Sequence, residues 1–137
     1  MKNPKRLTII SALMLLGLIA LSGFLAKVLN INDTGLYYYF HFIGGFFTAV
    51  FFCSIFKIIL KEKGNFITRA FLVLASTMTI GLLWEVKEFI ELRIFANAPI
   101  DYGDSLYDLV SDFGGGIFAL YIVYLNSAKN YKKNSLL

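Results

Sequence analysis

Two stretches of this chain are too long and too apolar for a water-soluble fold of its size. Leu7–Ala26 holds 20 residues without a formal charge, and Thr34–Phe56 holds 23 with His41 as the one imidazole. A helix needs about 20 apolar residues to cross about 30 Å of hydrocarbon at about 1.5 Å per residue. Two further runs fall several residues short: Ala70–Trp84 has 15 and Phe113–Ala128 has 16. Composition agrees. The chain is 58% hydrophobic and 16% charged, where soluble domains sit near half and about a quarter. At 137 residues it holds one domain at most. The expected fold is an all-α integral membrane protein. A single transmembrane domain over 1–137 would form a bundle of about four transmembrane helices, approximately 7–29, 36–60, 66–92 and 105–128.

Basic residues orient the bundle. Lys2, Lys5 and Arg6 precede the first helix; Lys57, Lys61, Lys63 and Arg69 lie between the second and third; Lys129, Lys132 and Lys133 follow the fourth. Ten of the 13 basic residues therefore share one side. The positive-inside rule puts that side, with both termini, in the cytoplasm. Lys2–Arg6, an apolar stretch and Ala20-Leu21-Ser22 also match a cleavable signal. The run is longer than a signal core, so a retained helix is expected. The tail Lys129–Leu137 is polar and basic and reads as a frayed, solvated end. Cys53 has no intrachain partner and reads as a buried, inert thiol. Membrane lipids are the expected surroundings, and no nucleic-acid partner is expected.

Acidic residues are the second constraint. Seven of the nine lie between positions 85 and 112: Glu85, Glu88, Glu91, Asp101, Asp104, Asp108 and Asp112. The short third run reaches membrane length only by extending outward past Trp84, which takes in Glu85 and Glu88. The short fourth run must begin before Phe113, which takes in Asp112 and Asp108. Both shortfalls fall at the same, outer face. At 100° per residue Asp104, Asp108 and Asp112 span a stripe of about 80°, and Gly115 and Ala119 continue it inward. Small residues mark close helix packing in membranes, so the stripe faces other helices. Gly81 lies one turn below Glu85, and His41 lies one turn above Gly45, with Thr48 and Ala49 beneath. His41, Glu85, Glu88, Asp104, Asp108 and Asp112 can thus converge on one pocket.

Charge at membrane depth costs at least about 2.5–3.5 kcal/mol per group near the centre. Clustered carboxylates persist when a cation sits among them or when some are protonated. Oxygen ligands suit Mg²⁺, Ca²⁺ or Mn²⁺, and His41 would also admit Zn²⁺. Blander roles compete. Asp104 reads equally as an N-cap, and Ser105-x-x-Asp108 as a capping box. Asp112 lies two turns in, beyond the reach of a cap. Glu85 or Glu88 could instead pair with Lys87, Arg93 or His41. Glu91 and Asp101 read as exposed. Tyr37, Tyr38 and Tyr39 read as an interfacial aromatic belt, and Trp84 as part of it or as a roof over the pocket. The glycine runs 44–45 and 114–116 read as packing features, since neither follows a strand.

His41-Phe42-x-Gly44, Trp84-Glu85-x-x-Glu88 and Asp104-x-x-x-Asp108-x-x-x-Asp112-x-Gly114-Gly115 together resemble the VanZ-like superfamily, including its YjdF-like inner-membrane proteins. The resemblance covers roughly residues 37–120. Many VanZ-like members carry Gln where Glu88 stands and Asn where Asp112 stands, so this more acidic chain is closer to the YjdF-like branch. The resemblance implies a small multi-pass protein of the bacterial cytoplasmic (inner) membrane, a shared site, and a link to the cell envelope and glycopeptide tolerance.

Other membrane-enzyme signatures are missing. The Asp-Gly-x-x-Ala-Arg of CDP-alcohol phosphotransferases and the metalloprotease His-Glu-x-x-His do not occur. A single histidine excludes His-rich desaturase and haem sites, and Ser105 has no obvious triad. Two functional readings follow. In the first, a divalent cation on Glu85, Glu88, Asp108 and Asp112 polarises a lipid-linked or phosphate-bearing envelope substrate, with His41 or a carboxylate as acid or base. Asp104 is a further ligand candidate, and the catalytic candidates are His41, Glu85 and Glu88. In the second, the pocket binds an ion or lipid headgroup without turnover. Ion translocation fits less well, because the inner halves of the spans hold no ionisable residue to continue a path.

Overall fold

Polar residues ahead of the apolar runs set two of the helix starts. The Asn3 side chain accepts from the Arg6 backbone N–H at 3.2 Å, and Pro4 occupies the first helical position, where its missing N–H is harmless. The Asn65 side chain likewise accepts from the Thr68 N–H at 2.8 Å. The computed structural model describes residues 3–27, 34–60, 65–95 and 102–134. They form α1 (Pro4–Lys27), α2 (Thr34–Leu60), α3 (Phe66–Ile90) and α4 (Tyr102–Asn134), with a π-helical turn at Glu91–Phe95 prolonging α3. All four helices are long and apolar enough to cross a membrane, over Pro4–Leu25, Leu36–Leu60, Phe66–Ile94 and Tyr102–Asn126.

The third span gains its length past Trp84, through Glu85 and Glu88, as the short apolar run requires. Helix ends differ in detail from the expected limits. α1 starts three residues early, and its expected last residues, 28–29, lie outside the described residues. α4 starts at Tyr102, three residues early, with Asp104 in the first turn, where a carboxylate favours the positive helix end. α4 also continues to Asn134, so the expected frayed tail is helical that far. No proline or glycine interrupts it there.

α2 is the central helix. α1, α3 and α4 all pack on it, and α3 also packs on α4. Among the described residues α1 packs on α2 alone. The α2–α4 crossing is the tightest. A β-carbon on Gly115 would overlap the Phe42 carbonyl oxygen, and one on Gly45 would overlap the Asp112 carbonyl. One turn further in, Ala49 and Ala119 are wholly buried. Each helix therefore carries a small residue, three intervening positions and a second small residue at the crossing. That pattern lets backbones approach where lipid tails supply no hydrophobic drive for association. The buried hydroxyls of Ser54 and Thr77 are satisfied within their own helices: Ser54 donates to the Val50 carbonyl at 2.9 Å and Thr77 to that of Val73 at 2.9 Å. Large side chains such as Leu13, Leu16, Ile67 and Phe71 point outward, as lipid-facing residues do. Cys53 is free and half-buried against the Ala49–Ala119 core.

A candidate buried cation site beside a cavity

His41 sits early in α2, Glu85 late in α3, and Asp108 and Asp112 early in α4. Antiparallel neighbours bring these ends to the same face. Asp108 lies six residues inside Tyr102, about 9 Å along the helix, and Asp112 about 15 Å, at 1.5 Å per residue. The cluster is thus inside the membrane-spanning segments rather than on a loop. Asp108 is 3% exposed, Asp112 6% and Glu85 8%.

The imidazole is the hub. Its Nδ1 lies 3.2 Å from Asp112 Oδ2, and its Nε2 lies 3.5 Å from Asp108 Oδ2. An imidazolium could donate to both. A neutral imidazole donates through Nδ1–H to Asp112 and leaves the Nε2 lone pair facing Asp108. His41, Glu85 and Asp108 each offer one ligand atom, and these three atoms lie within 4.8 Å of one another. Ligands at about 2.3–2.6 Å from Ca²⁺, or somewhat less from smaller ions, lie at most about 5 Å apart, so the spacing suits a shared ion. Two buried oxygens in this group, Glu85 Oε1 and Asp108 Oδ1, have no hydrogen-bond partner. Buried carboxylate oxygens without partners are uncommon and call for an explanation.

Asp112 owes its place to two glycines. It crosses between Gly45 of α2 and Gly81 of α3, and a β-carbon on Gly81 would stand 2.5 Å from its Oδ2. Asp112 therefore reaches the cluster through His41, as the group that fixes the ring.

The remaining expected ligands turn elsewhere. Asp104 accepts a hydrogen bond from the Tyr38 hydroxyl at 3.1 Å. Glu88 accepts one from the Trp84 indole N–H at 2.8 Å. Glu91 pairs with Lys87 at 2.9 Å, and the Lys87 ammonium stands 4.4 Å from the Trp84 ring centre. Asp104 is within helix α4, not its cap. Ser105 forms a side-chain hydrogen bond with Glu85 instead of closing a capping box. Asp101 lies outside the described residues.

Glu88, Glu91, Lys87 and Trp84 line a cavity of about 400 Å³ bounded by α1, α2 and α3. His41 and Asp112 also line it, whereas Glu85 and Asp108 do not. His41 thus stands between two compartments, the enclosed acidic pair on one side and the cavity on the other.

Three contributors escaped the sequence reading: Ser105 as the partner of Glu85, Tyr38 as that of Asp104, and Gly81 as the space for Asp112. Ser105 had a visible signal. It is seven residues from Asp112 and so falls within about 20° of it on the helix.

Comparison with curated proteins and with solved structures gives no match. Residues 6–129 match the family described as "Predicted membrane protein (DUF2238)". The match takes in all four spans, from the first turn of α1 into the last turns of α4, and the chain belongs to that family of membrane proteins.

Proposed function

We propose that this chain is a membrane-embedded cation-binding protein in which His41, Glu85 and Asp108 hold one divalent ion. The observation that carries the reading is the pair of partnerless buried oxygens, Glu85 Oε1 and Asp108 Oδ1, beside an imidazole nitrogen. Asp112 on the far nitrogen fits the arrangement common to metal-bound histidines, whose second N–H is held by a carboxylate. One imidazole with two carboxylates favours Mn²⁺ or Zn²⁺ over Mg²⁺ or Ca²⁺, which prefer oxygen throughout. Glu88 and Asp104, being engaged with Trp84 and Tyr38, act outside the ligand set.

This reading puts the ion at the outward face of a bacterial inner membrane. The support is the asymmetry of the basic residues and the resemblance to VanZ-like and YjdF-like proteins. It favours a non-enzymatic module of the cell envelope, because Glu85 and Asp108 are enclosed away from the cavity. A second reading is an enzyme acting on a lipid-linked or phosphate-bearing substrate. One observation favours it: His41 and Asp112 reach both the acidic pair and the cavity. Metal content of the purified protein and its Tm with added Mn²⁺, Zn²⁺, Mg²⁺ or Ca²⁺ test the first reading. The parent should bind about one ion and melt higher with Mn²⁺ or Zn²⁺, since a ligand that binds only the folded state stabilises it by mass action. A metal-free protein with no shift would leave the cluster as structural carboxylates. Release of a headgroup or phosphate from a purified envelope lipid would favour the enzyme.

A further inference from the structure

The cavity bounded by α1, α2 and α3 has a chemistry of its own beyond the ion site, with which it shares His41 and Asp112. We propose that it binds a lipophilic organic cation, a drug-sized molecule with an apolar body and a positive charge. Its lining acids are Glu88, Glu91 and Asp112, and the one ammonium among the lining residues is Lys87. Lys87 is already engaged by Glu91, so Glu88 and Asp112 face the cavity with His41 as their basic neighbour. In a low-dielectric setting such an excess attracts a cation and rejects an anion.

The chain itself shows how a cation sits there. Lys87 Nζ stands 4.4 Å from the Trp84 ring centre and 2.9 Å from a Glu91 oxygen. An aromatic face with a nearby carboxylate is the usual recognition of organic ammonium groups. Glu88 fixes the indole plane through Trp84 Nε1–H. The Lys87–Glu91 pair is about half-exposed, and such exposed pairs are weak, so the lysine can yield its place. Deeper in, Leu15, Leu18 and Ile80 supply an apolar wall. A volume of about 400 Å³ falls within the usual range for small-molecule pockets. Among the described residues α1 packs on α2 and not on α3, which leaves between them the slot that the cavity occupies.

The test uses Trp84, the chain's single tryptophan, as the reporter. The full chain in phosphatidylcholine vesicles is titrated with tetraphenylphosphonium and, separately, with its anionic isostere tetraphenylborate. Binding is confirmed by equilibrium dialysis. The cation should change Trp84 emission saturably and the anion should not. Glu88→Gln keeps an acceptor for the indole and deletes one charge; it should weaken the cation by about tenfold or more. Gly23→Leu should block binding by occupying the cavity. It lines the cavity, and a β-carbon there meets nothing within 4 Å; an unchanged Tm verifies that the variant folds. Asp108→Asn should keep phosphonium binding while losing the divalent response, which separates this proposal from the ion site. Equal response to both isosteres, unaltered binding in Gly23→Leu, or loss of phosphonium binding in Asp108→Asn would each overturn it.

Discussion

Gly81 and Asp112 meet across the α3–α4 contact so closely that a β-carbon on the glycine would stand 2.5 Å from the carboxylate Oδ2. The same oxygen lies 3.2 Å from His41 Nδ1. The glycine on α3 thus sets the position of an α4 carboxylate, and that carboxylate sets the ring of an α2 imidazole. Three helices are coupled through one missing methyl group.

Gly81→Ala should therefore push Asp112 off His41 and destabilise the fold by about 1–3 kcal/mol, the usual range for an inserted methyl group in a packed interior. The matched control is Gly17→Ala. A β-carbon there meets nothing within 4 Å, and alanine is the better helix former by about 0.5–1 kcal/mol. Reversible unfolding in mild detergent measures both. Equal stabilities would remove Gly81 from its spacing role.

Gly115→Leu should disrupt folding far more than Leu120→Ala. A β-carbon at Gly115 already overlaps the Phe42 backbone, so α2 and α4 must separate. Leu120 is only partly buried beside the core, and its truncation should cost no more than about 2 kcal/mol, the low end for such changes. Expression level and Tm of the two variants decide between them.

Asp108→Asn and Glu85→Gln should each abolish the rise in Tm with Mn²⁺ or Zn²⁺, because each deletes a proposed ligand. Asp112→Asn should weaken the metal by about 10–100-fold, as loss of a partner behind a ligating histidine does. Glu91→Gln should keep the full shift, since Glu91 pairs with Lys87. The opposite pattern has a physical meaning. If Asp112→Asn raises Tm and no metal does, the cluster is a repulsive structural one, relieved by removing charge.

Reporter fusions after Lys61 and after Lys133 should report the cytoplasm, and one near Ala98 the outside. The expectation rests on ten basic residues sharing a side. A cytoplasmic signal near Ala98 would invert the bundle and move the ion site to the inner face.

The helix count, and the lengthening of α3 past Trp84, were legible because the apolar runs of 15 and 16 residues were too short to span. The interior stripe of α4 was legible too, since Asp108, Asp112, Gly115 and Ala119 repeat at helical spacing and face their neighbours. Which carboxylates share one centre was not. Glu85 and Glu88 differ by one turn on a single helix, and only the positions of Ser105 and Trp84 on either side assign them to different partners. That choice depends on helix rotation and crossing, which periodicity leaves free. Tyr38 shows the same limit: an aromatic belt residue and a partner for Asp104 have one sequence signature.

Among the described residues α1 is attached through α2 alone, which offers a place to divide the molecule genetically. Every polar group of the ion cluster comes from α2, α3 or α4, while α1 supplies one wall of the cavity. A chain begun at residue 34 and supplied with α1 as a separate peptide should therefore keep the proposed divalent response and recover the proposed organic cation site only on complementation. One break in the backbone would turn two overlapping phenotypes into two independent ones.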